Sequence, residues 1–380
     1  MGVSVGESGL PESMSLPSCR FLYLVGQLGQ GGLERQLYYL LRTMDRTSYR
    51  PAVVVWACDG DEPYKERIQA LGVPCYSFAA YSTGFAKMTA FRRLLRQLQP
   101  AVAHSYSFYT NIAVQWATRG TQTIAVGSLR SALALAKKDS GRWLGNLSAR
   151  WPRTQICNSV SALNEIRKAR KVFAPKHPFV VCNGIDFEGF PNCSVLQLGP
   201  PVILGIGSLL PVKRWDRLIE AARMLKNQGF EFVVRIVGDG PLRPKLAEYV
   251  RELEVSDCVQ LMGKRDDVAR MLAEAQFLVH TSDSEGCPNV VMEAMTCGRT
   301  VVATVVGDVP LLLADDTIGF VVPCDDPALL ITRMTTLLSQ PELCQRMGAA
   351  ARAKAEQLFS LDRLVSETLA VYRAAGWKDN

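Results

Sequence analysis

The sequence has 380 residues, 48% hydrophobic and 21% charged, with a net charge of +7; that length allows two domains with separate cores, and that composition excludes a disordered chain. Its eleven cysteines are odd in number and scattered, without a C-x-x-C pair or zinc-like Cys/His spacing, which excludes a disulfide scaffold and reads as isolated thiols in a reducing cytoplasm. No run of roughly 18 apolar residues is present to span a bilayer as a helix.

Residues 1–18 are small and polar and read as a flexible tail, lacking the apolar core of a secretory signal. Gly2 follows Met1, but Gly6 stands where a myristoylation signal has Ser or Thr. FLYLV (21–25) predicts a buried strand leading through GQLGQGG into the helix LERQLYYLLRTM. Gly31 and Gly32 open that helix, where missing side chains either allow a phosphate or acceptor to approach or simply make a tight turn. PAVVVWA (51–57) leads to YKERIQALG, FRRLLRQLQP precedes AVAHSYS, and NIAVQWATRG is helical. Strands alternating with helices across short connections predict a parallel sheet covered on both faces.

Charge is concentrated in this half. Residues 84–180 hold sixteen Lys or Arg against Asp139 and Glu165, a net +14. Such a stripe attracts phosphates on an anionic leaflet, a charged acceptor or nucleic acid; ordinary solvated helix faces are the competing explanation. No nucleic-acid fold signature accompanies it, so nucleic acid is not an expected partner.

The segment FEGFPNCSVLQLGPP (187–201) reads as a linker, after which the alternation restarts. VILGIGS precedes RWDRLIEAARMLKNQG, EFVVRIVGDG precedes LRPKLAEYVRELEV, and CVQLMG precedes DDVARMLAEA. QFLVHTS then leads into SEGCPNVVMEAMTCG (284–298), and TVVATVVGD and GFVVP are the last strands before two C-terminal helices. The expectation is an α/β protein of two tandem doubly wound domains. Ligands of such sheets bind at the carboxyl ends of the strands, so a cleft between the domains is the expected site.

Within SEGCPNVVMEAMTCG, Pro288 suits a first helical turn and Gly298 a helix stop. Ser284 to Cys287 is then a strand-to-helix turn, and the amides of about 286–290 lie at the positive end of the helix dipole, which favours phosphate. Glu285 falls on the turn and Glu293 on the second helical turn, leaning back toward the same place. Carboxylates beside an anion seat suit hydroxyl groups, as in a ribose clamp, and phosphates with a ribose and further hydroxyls make a nucleotide sugar. Helix charge preference for Glu285 and a salt bridge for Glu293 are the plainer explanation of this segment alone.

The segment and its neighbours resemble the family 4, retaining, GT-B glycosyltransferases. The resemblance is carried by SEGCPNVVMEAMTCG, GSLLPVKRWDRLIEA (207–221), VGDGPLRPKLAEYV (237–250), VQLMGKRDDV (259–268), TVVATVVGDVPLLL (300–313) and TIGFVVPCDDPALL (317–330). In the first half VGQLGQGGLERQL (25–37) and VVCNGIDFEGF (180–190) add to it. It implies two Rossmann-like domains facing across a cleft: an acceptor-binding domain at 19–190, a nucleotide-sugar domain at 191–360, and a C-terminal helix at 361–380 crossing back to the first.

By the same resemblance Glu293 would hold the ribose hydroxyls and Glu285 would contact the transferred sugar. The backbone of Gly286, Cys287, Pro288, Asn289 and Val290 would face the sugar and diphosphate. Lys213 would neutralise the departing diphosphate. The arginine common five residues earlier is Ser208 here, leaving open whether Arg214 or Arg217 substitutes for it. His104, in VAHSYS, would face the transferred sugar, although Tyr106 stands where a second histidine is frequent. Lys264 and Arg265 would lie near the base. Cys287 is expected to pack rather than attack, and Val305 and Gln276, which also depart from the pattern, are expected to be peripheral.

The implied partners are a nucleotide sugar, a glycan or lipid-linked acceptor, and an anionic membrane under the basic segment. The implied setting is cytoplasmic or peripheral on the inner membrane face, with no cofactor and no metal. A nicotinamide oxidoreductase would need the G-x-G-x-x-G spacing that VGQLGQGG lacks. A nucleotide-sugar epimerase shares the architecture but matches these motifs less well, and a silent binding subunit is disfavoured by intact Glu285, Glu293 and Lys213.

Overall fold

The computed structural model describes residues 18–58, 60–130, 133, 136–137, 140–168, 174–191, 199–313 and 316–379. The tail expected over 1–18 falls almost wholly outside them, as do Lys138, Asp139, Arg170 and Lys171 of the basic segment and residues 192–198 of the linker. The chain divides into two compact units, Met1–Gly184 with Leu361–Asn380, and Ile185–Ser360.

The first unit is built on seven parallel strands: β1 (Phe21–Val25), β2 (Pro51–Val55), β3 (Cys75–Ser77), β4 (Val102–Ser105), β5 (Ile124–Leu129), β6 (Thr154–Cys157) and β7 (His177–Val180). Their spatial order is β3-β2-β1-β4-β5-β6-β7. Side chains alternate across a strand, and here both faces are covered, so β1 and β2 are apolar and buried at every residue. Phe21, Tyr23, Val25, Val53 and Val55 pack with the helices Gly32–Thr43 and Leu361–Ala374. Leu22, Leu24, Ala52 and Val54 pack with the helices Gly84–Leu98 and Asn111–Thr118. Tyr372, on the last helix, is fully buried in the first of these cores, with Trp377 beside Phe21.

The second unit has six parallel strands: β8 (Val202–Ile206), β9 (Val233–Val237), β10 (Val259–Gly263), β11 (Phe277–His280), β12 (Thr300–Thr304) and β13 (Phe320–Val322), in the order β10-β9-β8-β11-β12-β13. Helices Trp215–Asn227 and Pro327–Ser339 cover one face and Asn289–Thr296 and Pro341–Leu358 the other. In both sheets the order turns back beside the first strand, at β1/β4 and at β8/β11. Crevices at such reversals are where doubly wound sheets take their ligands.

Two expectations are corrected. Residues 185–190 belong to the second unit rather than the first, because Ile185 and Phe190 sit in its core and the Ile185 amide donates to the Phe359 carbonyl at 2.8 Å. Three helices, not two, follow the last strand. Gln340 interrupts the run before Pro341, which opens a helix readily but cannot continue one.

Candidate functional site: the carboxyl ends of β8 and β11

The loops leaving β8 and β11 are stitched together by backbone contacts. Pro211–Lys213 forms one 3-10 turn, ended by Arg214 in the left-handed region at φ 51°. The Asp283 amide and the Ser282 hydroxyl donate to the Val212 carbonyl at 2.8 and 3.0 Å, and the Thr281 hydroxyl donates to the Lys213 carbonyl at 2.9 Å. The loop after β12 holds the β11 loop from the other side, the Asp308 amide donating to the Gly286 carbonyl at 2.8 Å. Gly307 makes that approach possible, since its φ is +50° and a Cβ would collide with the carbonyl oxygens of Glu285 and Gly286.

The result is a fixed pair of charges. Lys213 Nζ donates to Glu285 Oε1 at 2.5 Å, and the two side chains keep 19% and 15% of their surface exposed, enough to meet a ligand. The His280 imidazole, only 2% exposed at the end of β11, lies with Nε2 3.4 Å from the same Oε1. That separation is longer than a good hydrogen bond. Burial pushes the Glu285 carboxyl up, but His280 and Lys213 together outweigh it and hold it at about 2. Glu285 is therefore an anion at any physiological pH.

Arg214 and Arg217, either of which could have replaced the cation missing at Ser208, are committed elsewhere. Arg214 makes a fork to Asp216, with Nη2 at 2.8 Å, and reaches Asp283 at 3.1 Å. Arg217 donates to Asp283 at 2.6 Å and to the Thr281 carbonyl at 3.0 Å. Burial would raise the Asp283 carboxyl, but the two guanidinium groups hold it below its ordinary value. Ser208 is exposed, and its carbonyl receives the Trp215 indole N–H at 3.0 Å.

The helix Asn289–Thr296 starts one residue later than the sequence suggests, with Pro288 as its extended N-cap residue (ψ 113°). Its first-turn amides point back toward the Glu285 loop, as the direction of the chain requires. Gly298, at φ 67°, ends it in the left-handed conformation that glycine tolerates. Glu293 is 3% exposed on its second turn. Cys287 is buried against Met292, with 3.5 Å between the sulfurs, and packs in the core.

Other expected residues are placed less directly. Lys264 and Arg265 follow the edge strand β10 and are exposed, Arg265 pairing with Asp267 at 2.7 Å. Val305 is 49% exposed, whereas Gln276 is not peripheral: it is 4% exposed and ties β11 to the Leu337 carbonyl at 2.8 Å.

In the first unit, Gly31 has an ordinary extended φ of −134°, and the room left by its missing Cβ is taken by the Glu34 carboxylate, which occupies the helix end expected to receive a phosphate. Gly32 is the first helical residue. His104 is a second departure. It lies inside β4 at 1% exposure with its ring nitrogens 2.8 Å from the Tyr372 hydroxyl and 2.9 Å from the Ser128 hydroxyl. Burial and the Arg130 charge push its pKa well down, so it is neutral and presents neither nitrogen to a ligand.

Sequence reasoning missed His280 and Asp283. Both were visible in QFLVHTSDSEG as polar residues where an apolar strand gives way to a loop.

The sequence pattern of the Glycosyl transferases group 1 family matches residues 187–354, and that of Glycosyltransferase Family 4 matches residues 30–188. The chain is 28% identical over 171 residues to the N-acetyl-alpha-D-glucosaminyl L-malate synthase of Bacillus anthracis, covering 45% of each chain. It is 30% identical over 219 residues to the putative colanic acid biosynthesis glycosyltransferase WcaL of Escherichia coli, covering 54% of each. It thus spans about half the length of these curated relatives. Among solved structures, HepE of Anabaena in complex with UDP superposes with a TM-score of 0.80 at 19% identity, over 93% of this chain and 100% of that one. That likeness shows the fold, which is the GT-B fold of glycosyltransferases. The two family patterns together account for both units, and the chain belongs to the family 4, group 1 glycosyltransferases.

Proposed function

We propose that the protein is a retaining glycosyltransferase that moves a sugar from a nucleotide-sugar donor to a hydroxyl of a glycan or lipid-linked acceptor in cell-surface polysaccharide or glycolipid synthesis. The observation that carries the reading is the Lys213–Glu285 pair at the β8/β11 reversal beside the start of helix Asn289–Thr296. A cation and first-turn amides suit a diphosphate, and carboxylates suit sugar and ribose hydroxyls. The family membership supports it, as do HepE structures with UDP and UDP-glucose and the colanic acid role in WcaL's name.

In this reading Glu293 takes the ribose and Glu285 the transferred sugar, while Lys213 turns to the donor's diphosphate. The bond from the anomeric carbon to the phosphate oxygen breaks, and the acceptor oxygen bonds to that carbon on the same face. The acceptor's proton passes to the departing phosphate oxygen, so no protein nucleophile is needed. Lys213 and the helix-end amides stabilise the growing negative charge, and no cofactor or metal is invoked. His104 acts only by supporting β4, and Lys264 and Arg265 are left as base contacts.

The first unit is proposed to rest on an anionic cytoplasmic membrane surface. Phe85, Trp143 and Leu144 are 74%, 78% and 53% exposed near the N-terminal ends of two helices. They lie within the basic segment, and apolar anchors beside cations suit a bilayer interface. No described helix is long and apolar enough to cross a membrane. Flotation with liposomes should show binding that rises with anionic lipid and falls with salt, and binding to neutral vesicles alone would remove the electrostatic part. For the reaction, nucleotide sugars should be screened by thermal shift and nucleoside diphosphate release. At least one donor should stabilise the protein and be cleaved, and a chain that neither binds nor cleaves any would contradict the reading.

A further inference from the structure

Tyr106, Arg130 and Asn158 hold equivalent places, each the first residue beyond the carboxyl end of β4, β5 and β6, three strands lying side by side. Each carries a buried atom, Tyr106 Oη, Arg130 Nε and Asn158 Oδ1, that has no hydrogen-bond partner among the described residues. Tyr106 is completely enclosed and Asn158 is 5% exposed. Leaving such atoms unpaired forfeits the hydrogen bonds they would make to water, so buried polar groups are nearly always paired.

Several polar groups around them do follow that rule. Ser105 pairs with Thr110 at 2.7 Å, Asn111 bridges the Ser128 backbone, and His104 bridges Tyr372 and Ser128. Ser148 Oγ and Gln155 Oε1 are also unpaired, but neither stands at a strand end.

The three are also mutually arranged. The Arg130 guanidinium carbon lies over the Tyr106 ring, 3.8 Å from its centre, and Asn158 Nδ2 donates to the Arg130 carbonyl at 3.4 Å. Arg130 is half-buried and has no ion-pair partner among the described residues. A guanidinium resting over an aromatic face still has N–H donors left for a planar or tetrahedral oxyanion. A hydroxyl and an amide oxygen beside it suit sugar hydroxyls.

We propose that the ends of β4, β5 and β6 form a binding site for a sugar derivative bearing an anionic group, its carboxylate or phosphate taken by Arg130 and its hydroxyls by Tyr106 and Asn158. Calling that ligand the acceptor rests on the glycosyl-transfer reading; the site itself lies wholly in the first unit and does not. Tyr106, rather than His104, is then the ligand-facing residue of VAHSYS.

Calorimetry on the full chain separates the two ideas. One arm titrates UDP, GDP, ADP and dTDP, and failure of all four counts against the glycosyl-transfer reading alone. The other titrates glucuronate, glucose 6-phosphate and glucose. Glucuronate or glucose 6-phosphate should bind at least tenfold more tightly than glucose, and whichever is preferred distinguishes carboxylate from phosphate. Arg130→Gln should erase that preference while leaving nucleoside diphosphate affinity within twofold, and Arg130→Lys should restore part of it. Tyr106→Phe removes only the orphan hydroxyl, so it should leave the melting temperature unchanged or raised while weakening the preferred sugar threefold or more. It also serves if Arg130→Gln does not fold. No preference for a charged sugar in the wild type, its persistence in Arg130→Gln, or full affinity in Tyr106→Phe would overturn the proposal.

Discussion

Lys213 and Glu285, 72 positions apart in the chain, meet at 2.5 Å because their loops leave the carboxyl ends of the adjacent strands β8 and β11. A ligand phosphate that recruits the Lys213 ammonium must therefore draw it from Glu285. When it does, His280 remains 3.4 Å from the carboxylate. Opposite charges hold the pair together, and its predicted behaviour follows from that competition.

Removing the cation should act on the transition state more than on donor binding, because charge on the diphosphate grows as the glycosidic bond breaks. Lys213→Ala should lower kcat by about 10²–10³, the scale seen when one electrostatic stabiliser is removed. Steady-state kinetics with the preferred donor checks this, and a change confined to KM would assign Lys213 to ground-state binding.

The two glutamates should fail differently. Glu293, 3% exposed on the helix Asn289–Thr296, should when changed to Gln raise the donor's dissociation constant about tenfold with a smaller effect on kcat. Glu285→Gln should chiefly lower kcat. Calorimetry with the nucleoside diphosphate beside kinetics separates the two, and equal losses of melting temperature and of both kinetic terms would mean a purely structural role.

Protonation gives a third check. The Glu285 carboxyl is held at about 2 in the folded chain, below its ordinary value of 4.5. A depressed carboxylate contributes stability that is fully present above the unfolded value and is lost as pH falls toward the folded one. The stability difference between wild type and Glu285→Gln should therefore be constant above about pH 5.5 and shrink between about 4.5 and 2. Urea unfolding at several pH values measures it, and a difference independent of pH across that range would contradict the assigned ion pair.

Gly307 tests the loop geometry. With φ at +50° and no room for a Cβ against the Glu285 and Gly286 carbonyls, Gly307→Ala should cost about 1–3 kcal/mol. It should also displace Glu285, lowering turnover more than the stability loss explains. Chemical denaturation and kinetics on the same sample check both.

Much of the fold could be read from apolar runs. FLYLV, PAVVV and QFLVH are continuously apolar because strands buried on both faces need no alternation, and the Lys213 and Glu285 loops follow such runs directly. What joined Lys213 to Glu285 was the family resemblance, because strand order, which makes β8 and β11 neighbours, leaves no mark in local composition. His104 was assigned a ligand for a similar reason. One residue, Ser105, separates His104 inside β4 from Tyr106 just beyond its end, and letters alone do not show where the strand stops. Pro288 slipped by one place because proline fits both the position before a helix and its first turn. Gly31 and Gly32 read as an anion seat, whereas in the fold the Glu34 carboxylate turns back onto it.

The central claim is that the Lys213–Glu285 pair is the reaction centre of a nucleotide-sugar transferase, and turnover and product affinity measured together in Glu285→Gln test it most directly. Freed from its carboxylate partner, Lys213 should bind the nucleoside diphosphate as tightly as in the wild type or more so, while release of that diphosphate from the preferred nucleotide sugar falls by about 10² or more. Wild-type turnover in Glu285→Gln, or loss of diphosphate affinity in step with activity, would contradict the account.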